Sequence, residues 1–261
     1  MMKMNQCELT HLSLFSGIGG LDLAAEWAGF KTVWQCEIAE FPFRVLKKHW
    51  PDVPKWRNIN ELSADDFFRR TGRKSATIIS GGFPCQPHSV AGKRLASIDE
   101  RELWPEMRRV IGEIKPKWVL CENVRGLLSS EDGRFFRGII RDFAQLGYAV
   151  GWGITSAAAV GAIHRRERLA IVANANTDRL ERWVSEEKQH LPEKMPAKLH
   201  VHLLRYADEN DLSKSGILRG FNGVPGRVDR TRAIGNAVCQ QQFFPFFDSI
   251  AKIERWINED T

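Results

Sequence analysis

At 261 residues the chain holds one large domain, or one domain and a small second region, and its 43% hydrophobic and 27% charged residues are the composition of a soluble globular protein. No run approaches the roughly 18 uninterrupted apolar residues that cross a bilayer, and Met1–Thr10 lacks the apolar centre of a secretory signal, so the expectation is a cytoplasmic protein with no membrane partner. The net charge of +6 suits a phosphate-bearing partner without requiring one, and the five scattered cysteines (Cys7, Cys36, Cys85, Cys121, Cys239), never spaced Cys-x-x-Cys, argue against a disulfide frame or a zinc site.

In chain order, the first expected strand is Leu9–Ser16, which runs into Gly17-Ile18-Gly19-Gly20 and then a helix over Asp22–Ala28. Glycines there let backbone approach a nucleotide-like group, although a tight structural turn would use the same residues. The next strand, Lys31–Glu37, ends in an acid where carboxylates accept hydrogen bonds from ribose hydroxyls, which favours the nucleotide reading. A helix over Phe43–His49 follows, then a strand over Ala76–Ser80 that runs into Gly81-Gly82-Phe83-Pro84-Cys85-Gln86-Pro87. This places a cysteine at the carboxyl edge of the sheet, where ligands bind in open α/β folds. A structural cysteine belongs inside an element, whereas Pro84 and Pro87 frame this one on a loop, so Cys85 is read as a nucleophile.

After a helix over Glu102–Ile114, the strand Trp118–Glu122 continues into Asn123-Val124. A Glu at a strand end is usually solvated or capping. Beside a cysteine nucleophile Glu122 becomes a candidate acid, because attack on a pyrimidine ring is easier when the ring nitrogen is protonated or hydrogen-bonded. The helix Arg134–Leu146 carries a core stripe of Phe135, Phe136, Ile139, Ile140, Phe143 and Leu146. Strands over Ala149–Thr155 and Arg168–Ala173 flank His164-Arg165-Arg166-Glu167-Arg168. Alternation would put Arg166 and Arg168 on one face, either as solvated charge or as a pair that binds a base carbonyl and fixes the glutamate. Beyond Asn174 the chain turns rich in Glu, Lys, Arg and His; Gly220–Gly226 reads as a hinge, and Thr231–Trp256 contains a helix apolar enough to dock back on the sheet. Alternating strands and helices predict an α/β fold with a doubly wound, mostly parallel sheet.

Phe15-Ser16-Gly17-Ile18-Gly19-Gly20, Gly82-Phe83-Pro84-Cys85-Gln86-Pro87, Glu122-Asn123-Val124, Arg165-Arg166-Glu167-Arg168 and Gly235-Asn236-Ala237-Val238 resemble, in order and spacing, the motifs of the DNA (cytosine-5)-methyltransferases, in a compact bacterial or phage-type form. The resemblance implies a Rossmann-like sheet of the class I S-adenosylmethionine-dependent methyltransferases. It divides the chain into a catalytic and cofactor-binding domain (1–174), a small target-recognition region (175–221) and a C-terminal segment returning to the first domain (222–261). It implies a monomer acting on a cytosine flipped out of double-stranded DNA. Cys85 would add to C6, with Glu122 on N3 and the exocyclic amine, Arg168 on O2 and near the thiolate, Arg166 organising the pocket and Asn123 bracing the cysteine loop. S-adenosyl-L-methionine would lie against Phe15 at the adenine, the Ser16, Gly17, Gly19 and Gly20 turn, Glu37 at the ribose, and Ile38, Asn58, Ile59, Gly82, Pro84, Leu103, Asn236 and Val238. Gln86, Ser89, Gly92 and Lys93 resemble the loop that closes over DNA. The setting implied is restriction-modification, with a cognate restriction endonuclease as partner, or phage self-protection.

The chain departs from the family pattern at Asn58, where Asp is common, at His164, where Gln is common, and at Cys239, where Val or Ile is usual; none removes a catalytic group. The short region 175–221 points to a short target, weak discrimination or help from a partner. Two other readings are an RNA cytosine-5 methyltransferase, whose Cys-Phe-Thr tripeptide is missing here, and a decayed, non-catalytic DNA-binding protein, against which stand the intact Cys85, Glu122, Arg166 and Arg168.

Overall fold

The computed structural model describes residues 8–84, 103–162, 165–175 and 237–259. In chain order these form β1 (Thr10–Leu14), α1 (Gly20–Trp27), β2 (Lys31–Cys36), α2 (Glu40–His49), β3 (Lys55–Trp56), α3 (Ala64–Thr71), β4 (Ile78–Gly81), α4 (Leu103–Ile114), β5 (Trp118–Val124), α5 (Arg134–Gln145), β6 (Ala149–Ser156), β7 (Glu167–Asn174) and α6 (Gln240–Glu259). All six expected strands are present, as are the four expected helices and a C-terminal helix. Element β3 and helix α3 were not expected.

Among the described residues the strands make one seven-stranded sheet in the order β3-β2-β1-β4-β5-β7-β6. The pairings from β3 to β5 are parallel, and β7 runs antiparallel to both β5 and β6. The direction of winding reverses between β1 and β4, and in open α/β sheets ligands bind at the carboxyl ends of the strands beside that switch.

The central strands are buried on both faces, as parallel strands covered by helices must be. Period-2 alternation divides their side chains between two cores. Ile79, Val119, Cys121, Leu169 and Ile171 face one core with Phe67 of α3, Met107 and Ile111 of α4, and Ile139 and Phe143 of α5. Ile78, Trp118, Leu120, Ala170 and Val172 face the other with Ala24 and Ala25 of α1 and Phe243, Phe247 and Ile250 of α6. Helix α6 is pinned at the far edge by Glu254, which accepts from Trp118 Nε1 (2.9 Å) and Lys117 Nζ (2.6 Å).

Candidate active site at the carboxyl edge of the sheet

Several chain segments converge on one edge. After β1, the turn from Phe15 to Gly20 folds so that Phe15 has φ of +51° and Gly19 φ of +89°. Gly19 cannot be replaced without strain, because a Cβ there would lie 2.4 Å from the Trp50 ring as well as in the left-handed region. Over Gly17 an added Cβ would meet nothing within 4 Å among the described residues, so they leave the turn open on that side. Glu37, just past β2, closes the turn from beside it: its Oε2 accepts from Gly17 N (2.8 Å) and its Oε1 from Ala39 N (2.7 Å). Burial pushes the Glu37 carboxyl upward in pKa against those two bonds. Next to it Ile38 stands 63% exposed, an apolar side chain left open at the sheet edge.

Beneath the turn lies a carboxyl that the motifs do not single out. Asp22 is fully buried and accepts from Ser13 Oγ (2.9 Å) and Gln35 Nε2 (2.8 Å), and burial pushes its pKa up to about 6. Its sequence signal was an acid placed among Leu21, Ala24 and Ala25 on the buried face of α1. Asn58 accepts from Asn60 N through its own side chain, while Ile59 is buried in the core beside it.

The second group surrounds the end of β4. Phe83 is buried against Trp104, and its carbonyl accepts from the Nδ2 of buried Asn123 (2.9 Å). This bond ties β5 to the segment Gly82-Phe83-Pro84 that leads into Cys85. Leu103 packs against the same core at the start of α4. Glu122 stands over Gly82 so closely that a Cβ there would lie 2.7 Å from its Oε2.

The third group comes from β7, and its antiparallel direction explains how. In the β5–β7 ladder Glu122 pairs with Ala170 and Val124 with Arg168, so Glu122 and Arg168 are diagonal neighbours on one face. Arg168 Nε lies 2.8 Å from Glu122 Oε1, with both side chains largely buried. Burial raises the Glu122 pKa, opposed by Arg168 and Arg166. The glutamate is therefore a buried carboxyl whose orientation a guanidinium fixes. Arg166 does not reach this edge by strand alternation. It precedes β7 with φ of +30°, and its Nη2 donates to Ala237 O (2.5 Å) at the entry to α6. Val238 follows against the α1 core.

Cys85, Gln86, Ser89, Gly92, Lys93, His164 and Asn236 lie outside the described residues, as does nearly all of 175–221. Among the described residues no three His, Cys, Asp or Glu side chains gather to hold a metal ion.

The profile of the C-5 cytosine-specific DNA methylases matches residues 9–219. The chain belongs to this family. Its relatives include the type II methyltransferases M.NgoMIV of Neisseria gonorrhoeae, 37% identical over 65% of this chain and 53% of that protein, and M.Eco47II of Escherichia coli, 38% identical over 67% and 41%. The chain thus spans about half the length, or less, of these curated relatives. Among solved structures, a DNA modification methyltransferase encoded within an Escherichia coli prophage matches with a TM-score of 0.57 and 22% identity over 65% of this chain and 47% of that one. Spodoptera frugiperda DNMT2 matches with 0.54 and 22% over 65% and 50%. These two share the fold of this methylase-family chain, a mostly parallel Rossmann-like sheet.

Proposed function

We propose that this protein transfers a methyl group from S-adenosyl-L-methionine to C5 of a cytosine flipped out of double-stranded DNA, as a DNA (cytosine-5)-methyltransferase. The observation that carries the reading is the buried Glu122–Arg168 pair over Gly82, three residues before Cys85, with Asn123 holding the Phe83 carbonyl between them.

The edge fits the cofactor: space left open over the Gly17 turn by the described residues, a carboxylate at Glu37 with further lone pairs for ribose hydroxyls, and exposed apolar Ile38 for an adenine face. Phe15, Ser16, Gly19, Gly20, Asn58, Ile59, Pro84, Leu103, Asn236 and Val238 complete the proposed pocket. S-adenosylmethionine supplies an electrophilic methyl group when bound there.

The chain's own groups do the rest. The Cys85 thiolate adds to C6, and the electron pair moves toward N3, where Glu122 donates a hydrogen bond or proton. Burial shifts its pKa upward, the direction that favours donation. C5 thereby becomes nucleophilic and takes the methyl group, with S-adenosylhomocysteine as the leaving thioether; a water molecule takes the C5 proton, the Cys85 thiolate departs from C6, and the N3 proton returns to Glu122, which restores the ring. Arg168, bound to Glu122, is placed for the cytosine O2, and Arg166 shapes the pocket wall. Gln86, Ser89, Gly92 and Lys93 belong to the proposed DNA-facing loop. The division into 1–174, 175–221 and 222–261 and action in the cytoplasm, in restriction-modification or phage self-protection, complete the proposal.

Expression in a host lacking cytosine methylation, followed by sequencing for 5-methylcytosine, tests the activity and reads the target together. Purified protein should transfer labelled methyl to DNA, and Cys85→Ser should abolish transfer. Equal transfer by the serine variant would rule out the covalent route.

A further inference from the structure

Helix α6 opens with three glutamines, and the third occupies a place where the apolar stripe of Phe243, Phe246 and Phe247 would take a hydrocarbon. Gln242 is fully buried. Its Nε2 donates to Thr155 O (2.8 Å) and to Arg166 O (3.0 Å). Its Oε1 is buried with no partner among the described residues. An unpaired buried acceptor is costly, so the two carbonyls are what hold the amide in this orientation.

Those carbonyls sit at the two chain ends where β6 and β7 open toward the active edge. Thr155 pairs with Arg168 in the ladder, and Arg166 stands just before β7. At φ of +30° Arg166 occupies backbone space that residues with side chains avoid, and such conformations persist only where the surroundings over-determine them. The entry to α6 supplies that determination from both sides: Gln242 holds the Arg166 carbonyl, and the Ala237 carbonyl holds its guanidinium (2.5 Å). The same entry touches the cofactor turn, where a Cβ on Gly20 would lie 2.7 Å from Val238 O.

We propose that Gln242 is a positioning residue for base binding: by fixing the backbone at Thr155 and Arg166 it sets Arg168 beside Glu122 at the cytosine and holds Arg166 in the pocket wall. The proposal deepens the methyltransferase reading and rests on it. Helix α6 then acts as a template for the two arginines of the base site as well as a wall of the cofactor turn.

Gln242→Met keeps the length and packing of the side chain but removes both donations, and Gln242→Asn keeps an amide too short to span both carbonyls. Methyl transfer to unmethylated plasmid DNA is measured for the full chain, with kcat normalised to protein that binds S-adenosylhomocysteine by calorimetry. Normalised kcat should fall about tenfold or more in both variants, with KM for S-adenosylmethionine and affinity for S-adenosylhomocysteine within about twofold of wild type. The proposal is overturned by a normalised kcat within about twofold of wild type in either variant, including a deficit that vanishes on normalisation, which marks a merely structural role. Wild-type protein that transfers no methyl group overturns the functional reading and this proposal with it.

Discussion

Gly82→Ala places one methyl group against the proposed reacting edge. Gly82 has no positive φ, so alanine meets no backbone strain there. Its Cβ, however, would stand 2.7 Å from Glu122 Oε2, whereas ordinary contact begins at 3.4 Å. The difference, 3.4 minus 2.7, asks for a displacement of about 0.7 Å. Glu122 cannot swing aside freely, because Arg168 Nε holds its other oxygen at 2.8 Å. A misplacement of about 1 Å in a catalytic group costs on the order of 100-fold in rate, so kcat should fall about 10- to 100-fold, or about 1.4–2.8 kcal/mol of transition-state stabilisation. The assay is transfer of tritiated methyl to unmethylated plasmid DNA at saturating cofactor, with the thermal midpoint and S-adenosylhomocysteine affinity as controls. A variant that folds, binds the cofactor product and turns over within about threefold of wild type would refute the placement of Glu122 at the chemistry.

Glu254→Ala removes the acceptor that pins α6 to β5 and strands the buried Trp118 indole N–H. Lys117 is 41% exposed and regains water, so most of the cost is the orphaned indole, about 2 kcal/mol by urea unfolding; a loss below about 0.5 kcal/mol would contradict that pinning. His11 gives a pH signature. It is fully buried between Thr32 Oγ1 (3.0 Å) and Ser80 Oγ (2.7 Å), and burial pushes its pKa down to about 3. Below about pH 6.5 the unfolded chain takes a proton that the folded one refuses, so His11 lowers stability as pH falls, by about 2 kcal/mol at pH 5. Asp22, raised to about 6, acts in the opposite sense between about pH 6 and 4, since its folded form binds the proton more tightly. The two separate in a difference: the stability advantage of wild type over His11→Gln should narrow by about 2 kcal/mol from pH 7.5 to pH 5, and a constant difference would sink the assignment.

Much of the fold was legible where one periodicity dominated. The α5 stripe of Phe136, Ile139 and Phe143 is buried as its spacing demands, and the strands from Leu9 to Ala173 were readable as apolar runs bounded by turns. Helix α3 escaped because its signal lies in its ends. Ser63 caps Asp66 N, acids fill the first turn, arginines fill the last, and Gly72 closes it in the left-handed region, but only Phe67 is buried. Strand β3 escaped because two residues carry no period; Lys55 and Trp56 are a strand only through their partners Gln35 and Cys36.

What the sequence singled out by itself is the set of residues proposed to carry the chemistry. Motif order placed Glu37, Gly82, Glu122 and Asn123 at strand ends, and in a parallel sheet strand ends share one edge. Only tertiary structure decided how the arginines arrive. Arg168 meets Glu122 because β7 runs against β5 and brings its amino end to the edge where the other strands finish. Arg166 arrives by a strained turn that the entry to α6 holds, more than 70 residues along the chain. Local pattern records which face a residue takes. It does not record the direction of a neighbouring strand or the partner that repays a strained backbone, because both are set by contacts between segments distant in sequence.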